Sequence, residues 1–219
     1  MYLQCLSMVF RNNFDLSVYF IADSSVCRGR RIEHVVASAL KGGVTMVQLR
    51  NKTCSREVVM DEAKRLQDIL ADSSVPLIIN DYVELAAEIG ADGVHIGQGD
   101  MKVEEARNII GDDAILGVTA FTNDHYSNID FDMVDYLGTG PFYPTLTKPD
   151  KQVMGAKKFA ELVSKSLIPV VGIGGITPDN ARDVISSGAD GVAMMRAISN
   201  SSDPETEARK FVESVCGAR

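Results

Sequence analysis

Eight short runs of apolar, β-branched residues recur along the chain, each succeeded by a longer stretch of helical period. This alternation constrains the fold more than any other feature. The predicted strands are Leu16–Ile21, Thr45–Leu49, Pro76–Ile79, Gly93–Ile96, Ile115–Val118, Met133–Leu137, Pro169–Gly172 and Gly191–Met194. They read apolar almost throughout, as parallel strands buried on both faces do. After the second run, Val59, Ala63, Leu66 and Leu70 recur at i, i+4, i+7 and i+11, one face of an amphipathic helix. Thr177-Pro178-Asp179 predicts a helix start: a threonine cap, a proline at the first helical position and an acidic first turn. Gly188 stands where that helix should stop. The stretch NDHYSNIDF has little periodicity, so the helix after the fifth strand is expected to be the weakest. The phrase Gly-Ala-Asp-Gly-Val, at 90–94 and 188–192, reads as a repeated helix-to-strand turn.

Eight strand-helix units in 219 residues predict an α/β protein, a (β/α)8 TIM barrel in a single domain. A doubly wound open sheet is the alternative. No Pro/Gly/Ser linker or charge block divides the chain. Residues 1–13 fit no unit and are expected to be an N-terminal extension, with the barrel over 14–219. The balance of 22 basic against 30 acidic residues gives a net charge of −8, which argues against nucleic-acid binding through overall charge. A few basic groups gathered in one cleft can still hold an anion. Cys5, Cys27, Cys54 and Cys216 lack the spacing of a zinc knuckle or redox pair, so reduced, structural thiols are expected. No basic n-region leads a long apolar start and no run is long enough to span a bilayer, so a soluble, cytoplasmic protein without membrane partners is expected.

The chemistry lies in the polar residues at the C-terminal end of each strand. Gln48, Arg50 and Lys52 come after the second; Asn80 and Asp81 after the third; His95, Gln98 and Asp100 after the fourth. Thr119 comes after the fifth, GTGPFYPTLTK after the sixth, Gly174-Gly175 after the seventh and Arg196 after the eighth. In a barrel these positions converge on the C-terminal mouth, where barrel enzymes place their chemistry and commonly bind phosphate. Each also has a structural reading. Asp81 with Glu84 fits a capping box, Asp100 can cap the next helix, and Arg50 with Lys52 fits a solvated loop pair. His95 reads as a hydrogen-bonded core histidine, and His125 is given no role. Together, however, two cations, two aspartates, an amide and hydroxyls on one rim are most simply explained by a pyrophosphate-bearing substrate. Mg²⁺ takes oxygen ligands, often one or two carboxylates plus substrate phosphates, which suits Asp81 and Asp100. Arg50, Lys52 and Lys148 would neutralise the remaining charge. Thr145-Leu146-Thr147-Lys148 lies in a loop suited to closing over a ligand.

At these residues the chain resembles the thiamine phosphate synthase (thiamine-phosphate pyrophosphorylase) family. The matching phrases are GGVTMVQLRNK, PLIINDYVELAAEIGADGVHIGQGDM, GVTAFT, DYLGTGPFYPTLTK and IPVVGIGGITPDNARDVISSGADGVAMMRAI. They run in family order from about Leu16 to Ile198. The resemblance implies a transferase that joins a hydroxymethylpyrimidine diphosphate to a thiazole phosphate, forming thiamine phosphate and releasing pyrophosphate, with Mg²⁺. It implies pyrimidine diphosphate at Gln48, Leu49, Arg50, Asn51, Lys52, Asn80, Thr119 and Lys148, and Mg²⁺ at Asp81 and Asp100. It implies thiazole phosphate at Thr145, Leu146, Thr147, Gly175, Met195 and Arg196. Arg50, Lys52, Thr119 and Lys148 would carry the catalytic role in a dissociative displacement that needs no protein nucleophile. The expected partners are the two substrates, and a homo-oligomer is left open. Thr119 replaces a usual serine, Tyr82 a frequent arginine, Gly99 a common acidic residue and Arg196 a small hydroxyl residue. Within the same fold, a thiazole tautomerase and a non-catalytic phosphate-binding regulatory barrel are the alternative functions. A sugar-phosphate epimerase lacks the phrase matches.

Overall fold

Strands that are apolar on both faces need cover on both sides, and here they obtain it by closing on themselves inside a ring of helices. The computed structural model describes residues 14–147 and 152–219, so the expected extension over 1–13, Cys5 and Lys148 lie outside the described residues. The strands are β1 Val18–Ala22, β2 Met46–Leu49, β3 Leu77–Asn80, β4 Gly93–Ile96, β5 Ile115–Thr119, β6 Tyr136–Thr139, β7 Val170–Ile173 and β8 Gly191–Met194. They pair in parallel in chain order, and β8 closes on β1 through Val18↔Val192, Tyr19↔Ala193 and Phe20↔Met194. The first seven helices are α1 Ile32–Lys41, α2 Arg56–Leu70, α3 Val83–Ile89, α4 Val103–Ile110, α5 Asn123–Ser127, α6 Gly155–Val163 and α7 Ala181–Ser186. After β8 come the short α8 Arg196–Ser199 and α9 Pro204–Cys216, which packs on α1 and completes the outer ring. None of the described helices is long and apolar enough to cross a membrane.

Two apolar layers arise from the alternation of side chains along each strand. Tyr19, Ile21, Met46, Ile78, Tyr136, Val171 and Ala193 fill the barrel interior. Phe20, Val47, Leu49, Ile79, Leu137 and Val192 face the helices, where Val59, Ala63, Leu66 and Leu70 of α2 meet them as the helical period predicts. Each fully buried large side chain contributes roughly 1.5–3 kcal/mol. Room for the interior tyrosine comes from glycine: a Cβ on Gly117 of β5 would lie 2.0 Å from Cζ of Tyr136.

The N-terminal floor of the barrel is locked by aspartates. In both Gly-Ala-Asp-Gly-Val turns the aspartate accepts from the first N–H of the preceding strand: Asp92 from Leu77 at 2.7 Å and Asp190 from Val170 at 2.8 Å. Asp135 accepts from the N–H of Leu116, the second residue of β5, at 2.8 Å, and also binds the buried Arg107 at 2.8 Å. Arg107 makes four further bonds, two to the Met133 carbonyl and one each to the carbonyls of Gly111 and Ala114. Met133 closes a turn with its N–H on the Asp130 carbonyl and gives its own carbonyl to Arg107, so β6 starts at Tyr136 and not at Met133. The helix start read at Thr177 is also corrected. Asn180 Oδ1 accepts from the Thr177 N–H at 2.8 Å, and the Thr177 carbonyl takes the N–H groups of Asn180 and Ala181. Thr177–Asn180 is thereby a separate turn, and α7 begins at Ala181 without a side-chain cap. Gly188, at φ +98°, does end this unit. The helix after β5 is short, five residues held by Thr122 accepting from the His125 N–H.

Candidate active site at the barrel mouth

A cavity of about 450 Å³ opens at the C-terminal ends of the strands. Gln48 and His95 lie within β2 and β4, and Asn80 and Thr119, just past the predicted ends of their strands, are the last residues of β3 and β5. All four are on the inward register and line the cavity with Arg50. The opposite wall holds Thr145, Leu146 and Thr147, Gly174 and Gly175, and Met195 and Arg196. Two groups of residues well separated along the sequence therefore share one chamber.

On the β2–β4 side the charges are paired within the protein. Arg50 Nη1 donates to Asp23 Oδ2 at 2.5 Å, and Asp23 is itself buried, with its other oxygen accepting from the N–H of Ser25. Lys52 Nζ meets Asp81 Oδ2 at 2.7 Å. Neither aspartate acts as the cap that the sequence allowed. Asp81 has φ +66°, a left-handed conformation uncommon outside glycine, asparagine and aspartate, and α3 is preceded by Tyr82 with no side-chain cap. Asp100 Oδ2 folds back to accept from the Gly97 N–H at 2.7 Å, and α4 has no side-chain cap at Lys102. Burial pushes the Asp81 carboxyl above the usual carboxylate range; Lys52 opposes this, while the neighbouring Asp100 carboxylate adds to it. Two carboxylates are thus neighbours, Asp81 paired with Lys52 and Asp100 exposed to solvent.

Not every residue on the β2 loop points into the cavity. Leu49 is buried in the layer between barrel and helices, so any ligand contact there falls to its backbone. Asn51 is committed to its own loop: Nδ2 donates to Glu62 at 2.9 Å and Oδ1 accepts from the N–H groups of Thr53 and Cys54. Tyr82, where the resemblance often has arginine, packs against the apolar shell.

The β6–β8 side is shaped by backbone. Gly174 and Gly175 have φ of +100° and +63°, and a Cβ on Gly175 would sit 2.3 Å from the Pro144 carbonyl oxygen. Only glycine lets this turn and the β6 loop approach so closely. Asn180 Nδ2 holds the turn through the Gly175 carbonyl at 3.1 Å, and the Tyr143 N–H reaches the Gly174 carbonyl at 3.0 Å. Arg196 reaches the cavity wall, yet its Nε is buried without a hydrogen-bond partner among the described residues. Leu146 is 81% exposed at the cavity edge.

Two features are not apparent from the sequence. Asp23, just after β1, is a rim residue that sequence reasoning misses, although its position in the unit is the same as that of the others. The second is a buried polar network across the barrel. Tyr19 and Tyr136 share a hydroxyl–hydroxyl bond of 2.7 Å, Gln48 Nε2 donates to Tyr19 at 2.6 Å, and the two ring nitrogens of His95 reach Tyr136 and Thr119, each at 2.9 Å. The available signal is a tyrosine at an inward position with small inward neighbours, Gly117 beside it on β5 and Gly138 two residues on in β6.

Known proteins agree with this geometry. Residues 18–198 match the thiamine monophosphate synthase family. The thiamine-phosphate synthase of Bacillus velezensis is 46% identical over 205 residues, covering 91% of each chain. That of Natronomonas pharaonis is 39% identical, covering 93% of this chain and 96% of its own. Among solved structures, a thiamine phosphate pyrophosphorylase from Pyrococcus furiosus superposes with a TM-score of 0.84 at 30% identity, covering 93% of this chain and 96% of its own. With its closed eight-stranded barrel and a match over most of its length, the chain belongs to the thiamine monophosphate synthase family of transferases.

Proposed function

We propose that the mouth cavity binds a hydroxymethylpyrimidine diphosphate on the β2–β5 side and a thiazole phosphate on the β7–β8 side, and joins them to thiamine phosphate and pyrophosphate. The observation that carries this reading is the single chamber: Arg50, Asn80 and Thr119 on one wall face Gly175, Met195 and Arg196 on the other. Two anionic substrates held there would present their reacting ends to each other over an apolar floor of Ile21, Val171 and Ile173.

The reaction is read as dissociative. The carbon–oxygen bond to the diphosphate breaks first, its electron pair leaves with the pyrophosphate, and the thiazole nitrogen then attacks the pyrimidine-stabilised cation. This chain's residues serve the departing charge. Arg50, held in place by Asp23, Lys52 and Lys148 bind the pyrophosphate oxygens, and Thr119 adds a hydroxyl. Gln48 and Asn80 orient the pyrimidine, with the backbone at Leu49 and Asn51 beside them. Thr145, Leu146, Thr147, Gly175, Met195 and Arg196 hold the thiazole phosphate.

Asp81 and Asp100 fit Mg²⁺. They are adjacent carboxylates, and the Asp100 charge raises the electrostatic need for a cation beside Asp81. No group of three or more His, Cys, Asp or Glu side chains suited to a metal occurs among the described residues, so water and substrate phosphate would complete the shell. Bound there, the ion would add positive charge against the pyrophosphate. An assay supplying both substrates, with Mg²⁺ or with chelator, tests the reading: metal-dependent thiamine phosphate and pyrophosphate in equal amounts are expected. Formation of neither product would overturn it.

A further inference from the structure

The buried network across the barrel is more elaborate than packing requires, and each of its members has a defined capacity to give or take a proton. We propose that Gln48, Tyr19, Tyr136 and His95 form a one-way hydrogen-bond chain that makes the Thr119 hydroxyl a donor aimed into the cavity. Tyr19, Tyr136 and His95 are then positioning residues. Their value to catalysis rests on the role proposed above for Thr119.

The direction is set by the amide end of the chain. Gln48 Nε2 has protons only to give, so the Tyr19 oxygen accepts at 2.6 Å. Burial pushes both phenols up, strongly so for Tyr136, and each therefore keeps one proton to donate. With its oxygen taken by Gln48, Tyr19 donates to Tyr136 at 2.7 Å. Tyr136 in turn gives its proton to His95 Nδ1 at 2.9 Å, which requires that nitrogen to be unprotonated. The neutral ring then carries its proton on Nε2 and donates to Thr119 Oγ1 at 2.9 Å. The Thr119 hydroxyl has no further partner among the described side chains, and its own proton is left for a ligand in the cavity it lines. Reversal at Gln48, with its carbonyl toward Tyr19, would reverse every bond and turn Thr119 into an acceptor, the wrong polarity for a diphosphate oxygen. The site is also built to hold this arrangement. Gly117 leaves the space for Tyr136, and a Cβ on Gly138 would meet His95 Cε1 at 3.1 Å.

Two measurements decide the matter. Nitrogen NMR of the full-length protein with ¹⁵N-labelled histidine reads the tautomer of His95, assigned by its loss in His95→Gln, and needs no substrate. A neutral ring protonated on Nε2 is expected; protonation on Nδ1 would overturn the chain's direction. Single-turnover coupling then tests its purpose. Tyr136→Phe keeps the ring but cuts the chain, and should slow the bond-breaking step about tenfold. Thr119→Ala should slow it by at least as much, Thr119→Ser should restore it, and Tyr136→Phe added to Thr119→Ala should cost nothing more. Independent, additive losses would show that the tyrosine acts only on structure and would sink the proposed purpose. Failure of the wild type to couple the substrates would instead overturn the functional reading, with the tautomer still deciding the direction of the chain.

Discussion

The floor and the mouth of the barrel use the same residue type to opposite ends. At the floor, Asp92, Asp135 and Asp190 each take a backbone N–H from the preceding strand, and Asp135 is further neutralised by Arg107. These carboxylates are consumed by the fold. At the mouth, Asp81 and Asp100 lie side by side; burial raises the pKa of Asp81 as it does that of Asp190, but at Asp81 a second carboxylate raises it further, on a residue held in a left-handed backbone conformation. Their mutual repulsion costs stability that nothing in the barrel needs. Strain and unbalanced charge at one end, against full satisfaction at the other, distinguish a site from a scaffold.

The largest effect should fall on the floor. Arg107→Ala removes the positive charge beside the buried Asp135 and five hydrogen bonds at once. A loss of about 3–5 kcal/mol is expected in chemical denaturation, with coupling kinetics unchanged in whatever remains folded. A stable but inactive variant would place the function of this arginine at the mouth after all.

At the mouth the pattern should invert. Asp81→Asn and Asp100→Asn are expected to reduce Mg²⁺-dependent coupling by about a hundredfold without loss of folding. For Asp81 the sign can be worked out. A carboxyl whose pKa is raised by folding favours the folded state when protonated, and that contribution is lost as pH rises through the raised pKa. Without added metal, Asp81→Asn should therefore be at least as stable as the wild type at neutral pH, and asparagine also tolerates the left-handed backbone better. Thermal melts from pH 4 to 8 check this; a variant that melts earlier at neutral pH would return Asp81 to a structural role.

A smaller loss is expected at the closing loop. Lys148→Ala should slow bond breaking roughly tenfold while leaving thiazole-phosphate affinity nearly constant, as read by single-turnover kinetics beside equilibrium titration. The smallest effect separates the two walls of the cavity. Arg196 has an unpartnered buried Nε on the wall where glycine backbone otherwise prevails. Arg196→Ser should weaken thiazole-phosphate binding by several-fold, about the loss of one charge-assisted hydrogen bond, and leave pyrimidine-diphosphate binding intact. Calorimetric titration of each substrate makes the comparison, and tighter binding in the serine variant would show that the arginine obstructs its wall.

The amino-acid sequence by itself determined the eight repeated units and most of the polar residues at the C-terminal ends of the strands. These are local properties. Apolar periodicity is carried within a few residues, and a side chain at the end of a parallel strand has one rim to go to once the barrel closes. Tertiary structure alone decided how those residues are used. Asp23 and Arg50 meet because β1 pairs with β2, whereas Tyr19 and Tyr136 are far apart along the chain and meet only once the barrel closes and Gly117 leaves room for the Tyr136 ring. The capture of Asn51 by Glu62 was likewise settled by a partner on α2, whereas the late start of α7 at Ala181 follows from the local bond between Asn180 and Thr177. Local sequence sets which side chains are offered at a rim; the competition among hydrogen-bond partners across the barrel sets which remain available to a substrate.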